Sequence, residues 1–190
     1  MKQPNIALTL LPQEQLTLVH SHETGELQRF RRLSLGFLPL MPQVSRLMAS
    51  LGLQCESRLA SLRQVAARME LDACVAESAH DLRSYTTSKP HFFISDDVMA
   101  EQVLQQTLQA AMEACGLFQW LIETNATPEL HRPFVDFARQ KEGEARVLLE
   151  FLEQRKHAVS MAESVTVPRS GAPLSPPRGI RQTSQLRQVE

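Results

Sequence analysis

Apolar residues recur at helical spacing in four long segments of this chain, and two of these stripes are broken by charges at inward positions. In the first segment Leu16, Val19, Leu27, Phe30, Ser34 and Phe37 keep the period, and Glu23 falls between Val19 and Leu27. In the last, Leu130, Phe134, Phe137, Leu148 and Leu152 keep it, with Lys141 and Glu144 in the middle. Residues three and four apart on a helix share a face. A charge on a buried face must be paired, neutralised or bound to a metal, because burying it alone is costly. The pattern predicts a polar layer inside a helical bundle.

Start and stop signals delimit the segments. The first helix is expected from about Pro12 to Leu35, with proline suited to the first turn and Gly36, Pro39 and Pro42 ending it. The second starts near Pro42, with Val44, Leu47, Leu51, Arg58, Leu62 and Val65 on its inward face, and is expected to continue, straight or broken, towards Leu82. The stretch from Ser84 to His91 reads as a loop. Ser95 is the expected N-cap of the third helix, followed by Asp96 and Asp97, which favour the helix dipole. Thr127-Pro128-Glu129 starts the fourth, which is expected to run to about His157. No strand-like alternation competes, so the fold class is all-α.

Composition excludes more than it identifies. A formal net charge of -1 gives no reason to expect nucleic-acid binding, and a single Trp with a single Tyr gives no platform for stacking bases. No apolar run approaches the ~18 residues of a membrane span. Cys55, Cys74 and Cys115 form no CxxC pair, and an odd count suits a reduced compartment, so a cytoplasmic location is the default expectation. Each cysteine reads as a small buried hydrophobe. Residues 159–190 change character: Pro168, Pro173, Pro176, Pro177, Gly171 and Gly179 replace apolar residues. Such a segment cannot bury enough surface to order itself. The expected organisation is a bundle over 1–158 and a disordered, mildly basic tail over 159–190, either a docking segment for an unidentified protein or a solvated extension.

Short links join the first helix to the second and the third to the fourth, so each pair should form an antiparallel hairpin, with one long crossover between them. The hairpins also resemble each other in spacing: Glu23 and Phe30 align with Glu113 and Trp120, while Leu47, Leu51, Gln54 and Ser57 align with Phe134, Ala138, Lys141 and Glu144.

The stretches HETGELQRFRRL…PQVSRLMASLGLQCESRLASL and AMEACGLFQWL…FVDFARQKEGEARVLLEFL resemble the two hairpins of ferritin-like, rubrerythrin-type di-iron proteins, over about two-thirds of the chain. The resemblance implies a ferritin-like four-helix bundle with a Glu on each of two helices and a Glu-x-x-His motif on each of the others. Carried onto this sequence, it makes Glu23 and Glu113 the single-Glu ligands. The Glu-x-x-His positions hold Gln54-Cys55-Glu56-Ser57 and Lys141-Glu142-Gly143-Glu144 instead. Both histidines are missing and one carboxylate is replaced by an ammonium. Glu144 could be a third ligand to iron or manganese, which suit oxygen donors. Otherwise Lys141, with Arg58 as a second cation and Gln54 beside it, would take over the metal's charge towards Glu23, Glu113 and Glu144.

The remaining signals are weak. His20-x-x-Glu23 shares one face and could add a nitrogen donor, while His20 and His22 point apart. No catalytic dyad, nucleophile elbow or phosphate-cradling loop is present. The third helix carries a second apolar stripe, Leu104, Leu108, Ala111, Cys115, Phe118 and Ile122, which would suit a homodimer seam or a covering segment of the same chain. Three function classes follow: a ferritin-like bundle without metal chemistry that acts as a binding or structural module, a rubrerythrin-type oxidoreductase with atypical ligands, and a helical partner-binding protein. No cofactor is expected in the first.

Overall fold

The computed structural model describes residues 10–76 and 93–165, with side chains left out at 158–160 and 162–165. The expected tail over 159–190 lies outside the described residues except for the last turns of the fourth helix, and the expected loop from Ser84 to His91 lies outside them entirely. Among the described residues the chain is helical without strands. The described residues hold four long helices, α1 (Pro12–Phe37), α2 (Pro42–Arg68), α3 (Asp97–Thr124) and α4 (Pro128–Val165), and a one-turn 3-10 helix, Asp72–Val75, after α2. Residues 156 onward separate from the body formed up to Arg155.

The helix starts follow the sequence signals closely. Pro12 opens α1, and the Glu14 carboxylate accepts a hydrogen bond from the Leu11 N–H at 2.8 Å, satisfying a donor the helix leaves free. Pro42 opens α2 and Pro128 opens α4. The cap of α3 is Asp96 rather than Ser95: its carboxylate accepts from the Met99 N–H at 2.8 Å, while the Ser95 hydroxyl donates to the same side chain at 3.2 Å. Asp is as good a cap as Ser and sits one residue closer to the first turn.

The second helix ends earlier than its apolar period suggests. It stops at Arg68, and Glu70 adopts a positive φ of 59°. That left-handed residue turns the chain so that the Leu71 N–H bonds back to the Ala66 carbonyl at 2.9 Å. Leu71 and Val75 then pack as a cap on the bundle end instead of prolonging the helix.

The apolar interior forms two clusters, and each draws on all four helices. One holds Phe30, Phe37, Val44, Met48, Leu51, Leu104, Leu148 and Leu152 among others. The other holds Leu16, Val19, Leu62, Val65, Phe118, Leu121, Leu130 and Phe134 among others. Read along the chain, α1 and α4 pass from the second cluster to the first, while α2 and α3 pass from the first to the second. Each hairpin is therefore antiparallel, and α2 and α3 run in the same direction, separated by the longest connection. Where that connection re-enters the bundle, Ile94 is buried and its N–H donates to the Gly36 carbonyl at 3.1 Å.

The apolar stripe on α3 is core rather than seam. Leu104, Ala111 and Phe118 are buried, and Leu108 and Ile122 pack half-buried against the two clusters. Of the two expectations for this face, a second copy or a covering part of the same chain, the packing shows the chain's own helices against it.

Candidate functional site

Between the two apolar clusters lies a closed ring of four buried charges. Glu23 comes from α1, Arg58 from α2, and Lys141 and Glu144 from α4. Arg58 Nε donates to Glu23 Oε2 at 2.8 Å, and Arg58 Nη1 meets Glu144 Oε1 at 2.7 Å. Lys141 Nζ lies 3.1 Å from Glu23 Oε1 and 3.3 Å from Glu144 Oε2. Each cation touches both carboxylates and each carboxylate touches both cations. All four residues are at most 2% exposed.

Helical spacing explains the assembly. Lys141 and Glu144, three residues apart, share one face of α4 and reach each other directly. Glu23 is four residues beyond Val19 and four before Leu27, so the stripe that buries those two must bury it. Arg58 lies between Cys55 and Leu62, and its side chain is the largest of the fully buried ones. Its remaining donors are also used: Nη2 reaches Cys55 Sγ at 3.2 Å, and Nη1 reaches Gln140 Oε1 at 3.3 Å.

The ring's electrostatics are self-consistent. Burial alone would raise the Glu23 carboxyl, but Lys141 and Arg58 together outweigh it and hold it below the ordinary carboxylate range. Burial likewise opposes the Arg58 charge, and Glu23 with Glu144 pushes the guanidinium further up. Burial pushes the neighbouring Cys55 thiol up to about 12, so it stays protonated and behaves as a weak sulfur acceptor rather than a nucleophile. Just outside the ring, His22 packs edge-on against Phe118 with ring centroids 6.0 Å apart. Burial lowers its pKa, with Lys141, Arg29 and Arg58 adding to the effect and Glu23 opposing it. His20, one turn before Glu23, is 7% exposed.

Two residues expected in the layer are elsewhere. Glu113 faces solvent on α3, where its carboxylate accepts from the Gln109 amide at 3.0 Å. Its neighbour Ala114 is the one turned inward, 1% exposed. The proposed match of Glu23 with Glu113 and of Phe30 with Trp120 fails for the same reason, since Trp120 is 39% exposed while Phe30 is fully buried. Gln54 is also exposed, and Cys55 takes the inward place beside it. The Cys55 position follows the α2 stripe at four residues from Leu51, a signal the sequence carries; the Gln140 contact has none.

A di-iron centre does not fit these residues. Among the described residues, no group of three or more His, Cys, Asp or Glu side chains is placed to hold a metal ion. The two carboxylates that do converge, Glu23 and Glu144, have the Lys141 ammonium and the Arg58 guanidinium against them, which is where a metal would have to sit. No family model, curated protein or solved structure matches the chain.

Proposed function

We propose that this chain is a ferritin-like bundle in which a ring of ion pairs stands in for a di-metal centre, and that it works as a binding or structural module rather than as an oxidoreductase. One observation carries the reading: Lys141 and Arg58 each contact both Glu23 and Glu144, so the cationic charge that a metal pair would supply to inward carboxylates comes from side chains. The order of helix directions, with one long connection between α2 and α3, supports the architecture. The test is elemental analysis of protein produced with iron and manganese supplied. Well under one metal per chain is expected. Two metals per chain would overturn the reading in favour of the oxidoreductase.

A further inference from the structure

On the outer side of the ring, α2 and α4 part to leave a groove of about 440 Å³. Ser57, Ser61, Gln64 and Arg68 line it from α2, and Glu129, Arg132, Asp136 and Gln140 line it from α4. Val65, Pro133 and Phe137 give it an apolar middle, and Arg58 belongs to both the groove and the ring. The groove's charges are not equivalent. Asp136 faces Arg139 at 4.0 Å, and Glu129 lies in the first turn of α4, where the helix dipole favours an acid. Arg68 and Arg132 have no ion pair among the described residues, nor has Glu129, so the two arginines outnumber the one unpaired acid. At the other end, Arg58 Nη1 is held by Glu144 at 2.7 Å but by the exposed Gln140 amide at only 3.3 Å. That second contact is the one a ligand could replace without disturbing the buried pairs.

We propose that this groove binds a small oxyanion-bearing molecule, a carboxylate or a phosphate held by Arg68 and Arg132, with a polar acceptor at its far end displacing Gln140 from Arg58. Guanidinium groups bind both anions through charge-assisted hydrogen bonds, often in pairs. The volume suits a metabolite-sized molecule, and the apolar middle suits a short hydrocarbon body. The site does not depend on the ferritin-like reading, since it requires only the groove and its arginines.

The test is an amide-resolved NMR titration of the full chain with inorganic phosphate, with glutarate and with the neutral glutaramide, each to about 10 mM. Glutarate should perturb Ser57, Ser61 and Gln140 together with Arg68 and Arg132, phosphate should perturb Arg68 and Arg132, and glutaramide should perturb neither set. A response to phosphate alone would assign a phosphoryl ligand, and a response to glutarate alone a carboxylate. The Arg68→Gln/Arg132→Gln double variant, altered only at the groove's rim, should weaken binding tenfold or more with an unchanged melting temperature. Gln140→Ala should tighten glutarate and leave phosphate alone. Absence of any response, an equal response to glutaramide, or binding indifferent to the double variant would overturn the proposal, whatever the metal analysis finds.

Discussion

Arg58 Nε donates to Glu23 Oε2 at 2.8 Å, joining α1 to α2 and leaving the other Glu23 oxygen to Lys141. Glu23 is thus the residue on which both cations converge from one side, and Glu144 is its counterpart on the other. Buried ion pairs of this kind seldom add much net stability, but removing one member strands the rest.

Lys141→Met should therefore destabilise the fold by roughly 3–5 kcal/mol, measured by urea denaturation at neutral pH. Adding Glu23→Gln alone to it should recover part of the loss, because the neutral amide tolerates burial better than an unpaired carboxylate while Arg58 keeps Glu144 as its partner. A Lys141→Met variant with wild-type stability would mean that the ammonium does not neutralise the ring.

Acid should weaken the protein in two steps. His22 has a lowered folded pKa, so its contribution is complete above its unfolded value of about 6.5 and is lost as pH falls from there towards the folded one. Glu23 is also lowered, so its contribution is complete above about 4.3 and is lost as pH falls further, through its folded value. Stability measured from pH 8 down to 3 should show both losses. His22→Leu should remove the first step and keep the second.

Glu26 behaves in the opposite sense. Burial raises its carboxyl pKa, with Arg29 and Lys141 only partly offsetting the effect. Its ionised form is a cost to the fold at every pH above the raised value, and the cost disappears as pH falls below the unfolded one. Glu26→Gln should accordingly stabilise by about 1 kcal/mol at neutral pH, with the gain shrinking in acid. Paired melting curves at pH 7.5 and 4 would detect this, and equal gains at both would contradict it.

Gly25, Gly116 and Gly143 sit inside helices, and a β-carbon added at any of them meets nothing within 4 Å. Glycine costs a helix interior roughly 0.5–1 kcal/mol relative to alanine. Each Gly→Ala change should raise stability by about that amount. Gly52 differs, because an added β-carbon there would lie 3.7 Å from Phe30 Cβ, in ordinary contact.

The sequence exposes the helices and all four members of the ring because large apolar residues flank Glu23, Arg58, Lys141 and Glu144 on their stripes. It misleads on α3, where the inward face at the level of the ring is made of Ala111 and Ala114. Small buried residues leave a faint period, and Glu113, one position from Ala114, falls on the same spacing as the inward charges of the other helices. The end of α2 is hidden for a related reason. Met69, Leu71 and Val75 continue the apolar spacing, and the turn that breaks it rests on Glu70 in a left-handed conformation, without a glycine or proline to announce it. The Gln140 contact depends on side-chain length and reach rather than on periodicity, so no stripe could disclose it.

The four charges divide evenly between the hairpins: Glu23 and Arg58 belong to the first, Lys141 and Glu144 to the second. Each half therefore carries an acid and a base in contact with each other and never presents net charge to its mate. Two such halves, joined through the long connection between α2 and α3, have interchangeable partners in a second copy of the chain. A swapped dimer, in which the first hairpin of one molecule docks on the second hairpin of another, would rebuild every ion pair of the monomer unchanged. Shortening that connection is the alteration most apt to drive the exchange.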